Sequence, residues 1–195
     1  LRRLVDIHAH RVTVTIHGVT LPVGVMGVGV RVTRVGGRPV AVSVGVGGGL
    51  CQMTNLLYWM TLHTPLSVVE RWRHSYDAFP DDRRTQPFGS GATCAWPLLD
   101  LQIENRTSAS YRLTISVTAT HLVGSWSADR PPTCRYEVAE RRHRITHDGP
   151  GRYMRRNELW RLEFDGSGAL AAEELVAAND ALLRYAPFLP PAAER

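Results

Sequence analysis

Apolar residues recur with a helical period in one stretch of the chain and mostly with a period of two elsewhere. In LCQMTNLLYWMTLH, residues 50–63, Leu50, Met53, Leu57 and Met60 fall at i, i+3, i+7 and i+10, and Leu56 and Trp59 widen the stripe. That spacing predicts an amphipathic helix. It should stop near Thr64-Pro65, because the residue before proline is pushed out of the α region. The next stretch, 67–76, reads as a strand. Val68, Glu70, Trp72, His74 and Tyr76 share one face, and Val69, Arg71, Arg73 and Ser75 share the other. Residues 111–126 read as the clearest strand, with Tyr111, Leu113, Ile115 and Val117 inward, and 100–110 is expected to pair with its start as a hairpin. CRYEVAERRHRITH and LWRLEFDGSGALAAEEL add strand patterns, the second broken by an Asp165-Gly166-Ser167-Gly168 turn. EELVAANDALLRY, 173–185, reads as a closing helix. The expected fold class is therefore α+β: one principal helix at about 50–63, packed on a mostly antiparallel β-sheet.

The first 46 residues break this picture. Val and Gly supply 14 and 7 of them. HRVTVTIHGV alternates like a strand, yet so many glycines weaken strand pairing and register. Charge divides at the same place. Residues 1–49 hold six Arg and one Asp, the whole net charge of +5, and the remainder balances at 17 Arg against 17 acidic residues. A balanced main body carries no nucleic-acid footprint. All 23 basic residues are Arg, which suits a GC-rich gene. No apolar run approaches the ~18–20 residues that a membrane-spanning helix needs. Three scattered cysteines, Cys51, Cys94 and Cys134, make neither a disulfide framework nor a zinc knuckle. Reduced thiols favour a cytoplasmic location; a leader upstream of Leu1 would place the protein in the cell envelope instead. His63, His121, His143 and His147 lack metal-site spacing, so no metal and no cofactor are expected.

The candidate chemistry gathers around VGGGLCQ. Cys51 follows Gly47, Gly48 and Gly49 and opens the predicted helix. Unpaired N–H groups and the positive end of a helix dipole stabilise a thiolate. The glycines would let backbone N–H groups approach a substrate carbonyl. His74 on the following strand fits a general base, and Asp100, further on, fits a residue that orients it. Cysteine, histidine and aspartate in that chain order follow the logic of papain-like and transglutaminase-like hydrolases. The structural alternative is a small buried residue at a tight loop-to-helix junction. Gln52 either donates to an oxyanion or bonds the glycine loop. Glu70 beside Trp72 fits a general acid for cleaving a glycan chain, or the partner of an arginine. Gly48, Gly49, Gln52, Trp72 and Tyr76 are the candidate substrate-binding positions.

From residue 47 onward the chain resembles the VanW family. The motifs are GGGLCQ at 47–52, ERWRHSY at 70–76, RTQPFGSGATC at 84–94 and DLQIEN at 100–105, continued by THLVGSW, YEVAE and ITHDG. The resemblance divides the chain into an atypical segment, 1–44, a VanW-like domain, 45–190, and a tail, 191–195. The first segment lacks the family's upstream pattern and is expected not to be native family sequence. Trp72 stands where relatives often carry a second histidine. The resemblance implies a role in cell-wall biology or glycopeptide resistance, with peptidoglycan or its precursors as partner. Three forms of that role fit: a hydrolase or transpeptidase using Cys51, a glycan-cleaving enzyme using Glu70, and a non-catalytic accessory or binding module.

Overall fold

In the computed structural model of the chain, the described residues are 3–7, 30–35, 38–44, 50–77, 86–94, 99–117, 121–185 and 187, with backbone alone for 3–44 and for Leu50. The predicted helix forms as α1 (Leu50–Leu62). Met53, Thr54, Leu57, Tyr58, Thr61 and Leu62 are its buried positions, a stripe with the spacing of one helix face. Thr61 enters the core with its hydroxyl satisfied, donating to Leu57 O at 2.7 Å. After α1 the Thr64 hydroxyl and backbone N–H both donate to Thr61 O, at 2.8 and 3.0 Å, and Pro65 prevents another helical turn.

Among the described residues everything else regular is strand: β1 (Arg3–Ile7), β2 (Val30–Val35), β3 (Arg38–Val44), β4 (Ser67–Glu70), β5 (Tyr76–Asp77), β6 (Gln102–Glu104), β7 (Tyr111–Val117), β8 (Leu122–Ala128), β9 (Arg135–Gly149), β10 (Arg152–Phe164) and β11 (Leu170–Leu183). They form a three-stranded sheet in the order β1-β7-β8, a four-stranded sheet in the order β5-β11-β10-β9, and the pairs β2-β3 and β4-β6. All pairings are antiparallel except β5 with β11. The expected α+β class is thus corrected. The protein is mostly β, with one 13-residue helix set among several small sheets rather than a helix layered on a single sheet.

The largest single correction is the expected closing helix at 173–185. It is strand β11, paired with β10 from Met154↔Leu182 to Phe164↔Leu170. Its alanines favour a helix taken alone. Burial, however, alternates: Ala177, Asn179, Ala181 and Leu183 are buried while Ala178 and Asp180 are exposed. A period of two on a long partner strand overrides local propensity. The turn before it was legible. Asp165 Oδ1 accepts from Ser167 N at 2.8 Å and Ala169 N at 3.1 Å, and Gly168 sits at φ +84°, where a side chain would be strained.

Two other strand expectations shift. The 111–126 stretch splits into β7 and β8, which form a hairpin with each other; residues 118–120 lie outside the described residues. β6 pairs with β4 and not with β7. The 67–76 strand stops at Glu70, and only Tyr76–Asp77 resumes pairing, now beside β11.

The core gathers where α1 meets these sheets. Met53, Leu57, Tyr58 and Leu62 pack with Leu66, Ala92, Leu101, Ile103 and Leu113, and Trp59, Met60, Ile115, Leu122 and Trp126 close over them. Leu57 is 2% exposed. Leu57→Ala is expected to destabilise the protein by about 2–5 kcal/mol through lost burial and a residual cavity, read from urea unfolding. A loss under about 1 kcal/mol would show that α1 is not the centre of the core.

Candidate functional site

Cys51 lies in the first turn of α1 and is half-buried. Its Sγ lies 2.9 Å from Thr93 Oγ1, within a hydrogen bond. Thr93 belongs to segment 86–94, QPFGSGATC, which forms one wall of the cleft onto which Cys51 opens. That segment is strapped to α1 from two sides. Asn55 Oδ1 accepts from Ala92 N at 2.7 Å, and Thr54 Oγ1 donates to Ala92 O at 2.7 Å. From the other side Arg71 donates through Nε and Nη2 to Gly91 O, at 2.9 and 2.7 Å, and through Nη2 to Gly89 O. The same guanidinium lies 4.5 Å from the centroid of the Tyr58 ring. Burial lowers the Arg71 pKa and raises that of Tyr58, against the opposing effect of each on the other. A Cβ on Gly91 would meet Asn55 Oδ1 at 2.5 Å, so a larger residue there would displace the amide that holds Ala92 N. Gly89 is required for its φ of +76° and for the Asn179 amide against it.

Opposite this wall the chain leaves β4 and runs through Arg73, His74 and Tyr76 into β5. These three, with Cys51, Asn55, Asp77, Phe88 and Thr93, enclose an open cleft of about 520 Å³, within the usual size of small-ligand sites. His74 and Tyr76 hold their rings 5.7 Å apart in a tilted contact. Behind Asp77 and Phe88, which line the cleft, lies a buried polar layer. Asp77 and Arg155 are 5% and 3% exposed, and they meet at 3.2 Å. Arg155 also donates through Nε to His143 Nε2 at 2.9 Å and lies over the Phe88 ring. Asn157 donates to Phe88 O at 2.8 Å. It sits opposite a bulge in β9, where the register skips between Arg156 and Glu158 and Arg142 takes φ +53°. Bulges of this kind re-aim side chains beside sites.

Cys51, His74 and Tyr76 therefore line one cleft. The remaining expected residues are elsewhere. Gly48 and Gly49 lie outside the described residues. Gln52 is exposed and does not line the cleft. Trp72 is 46% exposed and touches the wall through its backbone, Trp72 O accepting from Thr93 N at 2.8 Å. Glu70 has both oxygens engaged: Oε1 accepts from Trp72 Nε1 at 2.6 Å and from Asp100 N at 3.4 Å, and Oε2 from Gln102 Nε2 at 2.6 Å. It joins β4 to β6 and does not line the cleft. Asp100 takes part through that backbone contact, and no hydrogen bond joins it to His74 among the described residues. Cys94 is close enough to Cys51 for their charges to interact; burial is the main cause that raises its pKa, with Cys51 and Asp100 adding to it. Among the described residues no three His, Cys, Asp or Glu side chains converge as a metal site, and no helix is long and apolar enough to cross a membrane.

Residues 33–127 match the family described as "VanW like protein". That stretch of the chain is VanW-like. The matched span carries α1, the 86–94 wall and the β4–β5 passage, and so both sides of the Cys51 cleft; it also takes in 33–44, which sequence alone set apart. Over 107 residues the chain is 33% identical to the vancomycin B-type resistance protein VanW of Enterococcus faecalis, covering 55% of this chain and 39% of that protein. The chain thus spans well under half the length of this VanW relative. No solved structure matches the chain.

The buried pair of Asp77, which lines the cleft, with Arg155 behind it escaped sequence reasoning, as did Asn55 and Arg71. An acid just past an exposed aromatic and an arginine some 80 residues later leave no local signal. The resemblance of RTQPFGSGATC to the family's pattern pointed at the wall without saying what holds it. Removing one partner of a buried ion pair strands the other. Arg155→Met is therefore expected to cost about 3–5 kcal/mol in urea unfolding, and the Arg155→Met, Asp77→Leu double variant less than the two single losses together. Strict additivity would show that the pair is not coupled.

Proposed function

We propose that this protein belongs to the VanW family and acts in cell-wall biology connected with glycopeptide resistance, as a thiol enzyme that cleaves or transfers an amide bond in peptidoglycan or its precursors. The observation that carries the reading is that Cys51, in the first turn of α1, opens on the same cleft as His74. The name of the 33% identical relative supports the biological setting. In the proposed reaction His74 takes the Cys51 proton as the sulfur attacks the amide carbon. The proton then goes to the leaving amine as the C–N bond breaks, leaving a thioester on Cys51. Water releases an acid from that thioester, or a second amine forms a new amide. The first-turn N–H groups of α1 would stabilise the oxyanion. Asn55 lines the cleft with its oxygen occupied by Ala92 N, so its NH₂ would be the further donor.

A second reading, a non-catalytic binding module of the cell-wall machinery, draws on one observation. The Cys51 sulfur is within hydrogen-bond distance of Thr93 rather than of His74. The glycan-cleaving role of Glu70 has little support, since both its oxygens are held by hydrogen-bond donors and it does not line the cleft.

The two readings separate in a reaction with purified peptidoglycan stem peptides followed by mass spectrometry. The enzyme reading expects cleaved or exchanged peptide, lost by at least about 10³-fold in Cys51→Ala; peptide bound without any product would favour the binding module. Thiol labelling gives an independent check. Thiolate is the reactive form, and burial holds the Cys94 thiol above its ordinary range. Iodoacetamide near neutral pH is expected to label Cys51 on the order of tenfold faster than Cys94, and equal rates would contradict a reactive Cys51.

A further inference from the structure

The geometry points to Arg73 as the group that reads a carboxylate on the ligand of the Cys51 cleft. Arg73 lines the cleft and is half-buried. Two of its five N–H donors are used, and both go to backbone carbonyls: Nη1 to His74 O at 3.1 Å and Nη2 to Asp180 O at 2.9 Å. These bonds fix the plane of the guanidinium without neutralising it. Among the described residues no carboxylate lies within ion-pair distance of it. The nearest acid in electrostatic terms is Asp180, and the Asp180 carboxylate is taken by Arg156 at 3.1 Å.

The rest of the cleft supports the same sign of charge. Asp77 is the acid lining it, and Asp77 is already paired with Arg155. A partly desolvated arginine with a fixed plane and free donors suits bidentate recognition of a planar anion, which a lysine in the same place would not reproduce. A carboxylate is the planar anion that a peptide supplies, either at its C-terminus or on an acidic side chain. The inference deepens the proposed function by naming a ligand class: a peptide with a free carboxylate close to the bond that faces Cys51. It rests on the cleft being the substrate site, but not on the thiol chemistry.

Binding to the Cys51→Ala variant tests it without turnover. Three kinds of probe are titrated calorimetrically: N-acetyl-alanyl-alanine in its L,L and D,D forms, the C-terminal amides of both, and N-acetyl-glutamyl-alanine amide. The expected result is that a carboxylate probe binds at least about tenfold more tightly than the neutral amide, as one well-made charged contact allows. Comparison of the first and third probes shows whether the terminal or the side-chain carboxylate is read. In Arg73→Gln the preference disappears while the neutral amide binds as before, and Arg73→Lys recovers only part of it. Equal binding of acid and amide, a preference that survives Arg73→Gln, or no binding by any probe overturns the inference. A preference that depends on Arg73 in a protein that turns over no peptide retains this assignment and removes the enzyme reading. Turnover that is indifferent to the carboxylate does the reverse.

Discussion

The cleft depends on one half-buried cation. Arg71 leaves the end of β4 and reaches the carbonyls of Gly89 and Gly91 while lying on the face of Tyr58. A guanidinium brought out of water loses hydration that only hydrogen bonds and a neighbouring π-face restore. Its stable place is therefore against those two carbonyls, and segment 86–94 is drawn to it. From the other side Thr54 and Asn55 hold the same segment at Ala92. The wall that carries Thr93 to the Cys51 sulfur is thus set by a side chain of β4's exit and by the first turns of α1. Neither the 86–94 segment nor α1 alone would present the thiol.

Beneath that wall the long β9–β10–β11 sheet serves as a platform. It raises Arg155, Asn157 and Asn179 into a layer of buried polar groups under Phe88 and Gly89. Polar groups in such a layer are costly unless partnered, and specific when they are. Arg155 has Asp77, His143 and the Phe88 ring among its partners. The consequence for function is electrostatic. Asp77, the acid that lines the cleft, is paired with Arg155 behind it, and Arg73 is the arginine that lines it.

The legible parts of the sequence were those with a local cause. The spacing of Met53 and Leu57 gives α1, and Asp165 with Gly168 gives the β10–β11 turn. Cys51 and His74 were placed on neighbouring elements and do line one cleft. The illegible parts depended on distant partners. An alanine-rich run became β11 because β10 lay beside it for its whole length. The strand expected at 67–76 ended early because Arg71 turns inward and Trp72 bridges to Thr93, so Glu70 and His74, expected on one face, part company. Asp77 and Arg155, 78 residues apart, share no pattern that a single sequence displays. The fold class was misread for the same reason: pairing between remote segments, not local propensity, decides how much of this chain is strand.

The central claim is that Arg71 assembles the cleft by holding segment 86–94 against α1. Hydrogen–deuterium exchange of the Ala92 amide in Arg71→Met, compared with the unaltered protein, tests it most directly. That amide is bonded to Asn55 and not to Arg71, so its protection reports on the placement of the whole segment. The account predicts that Ala92 and its neighbours lose protection on the order of tenfold or more while the amides of α1 and β10 stay protected. Unchanged protection at Ala92 would mean that the segment holds itself, and that the cleft does not depend on Arg71.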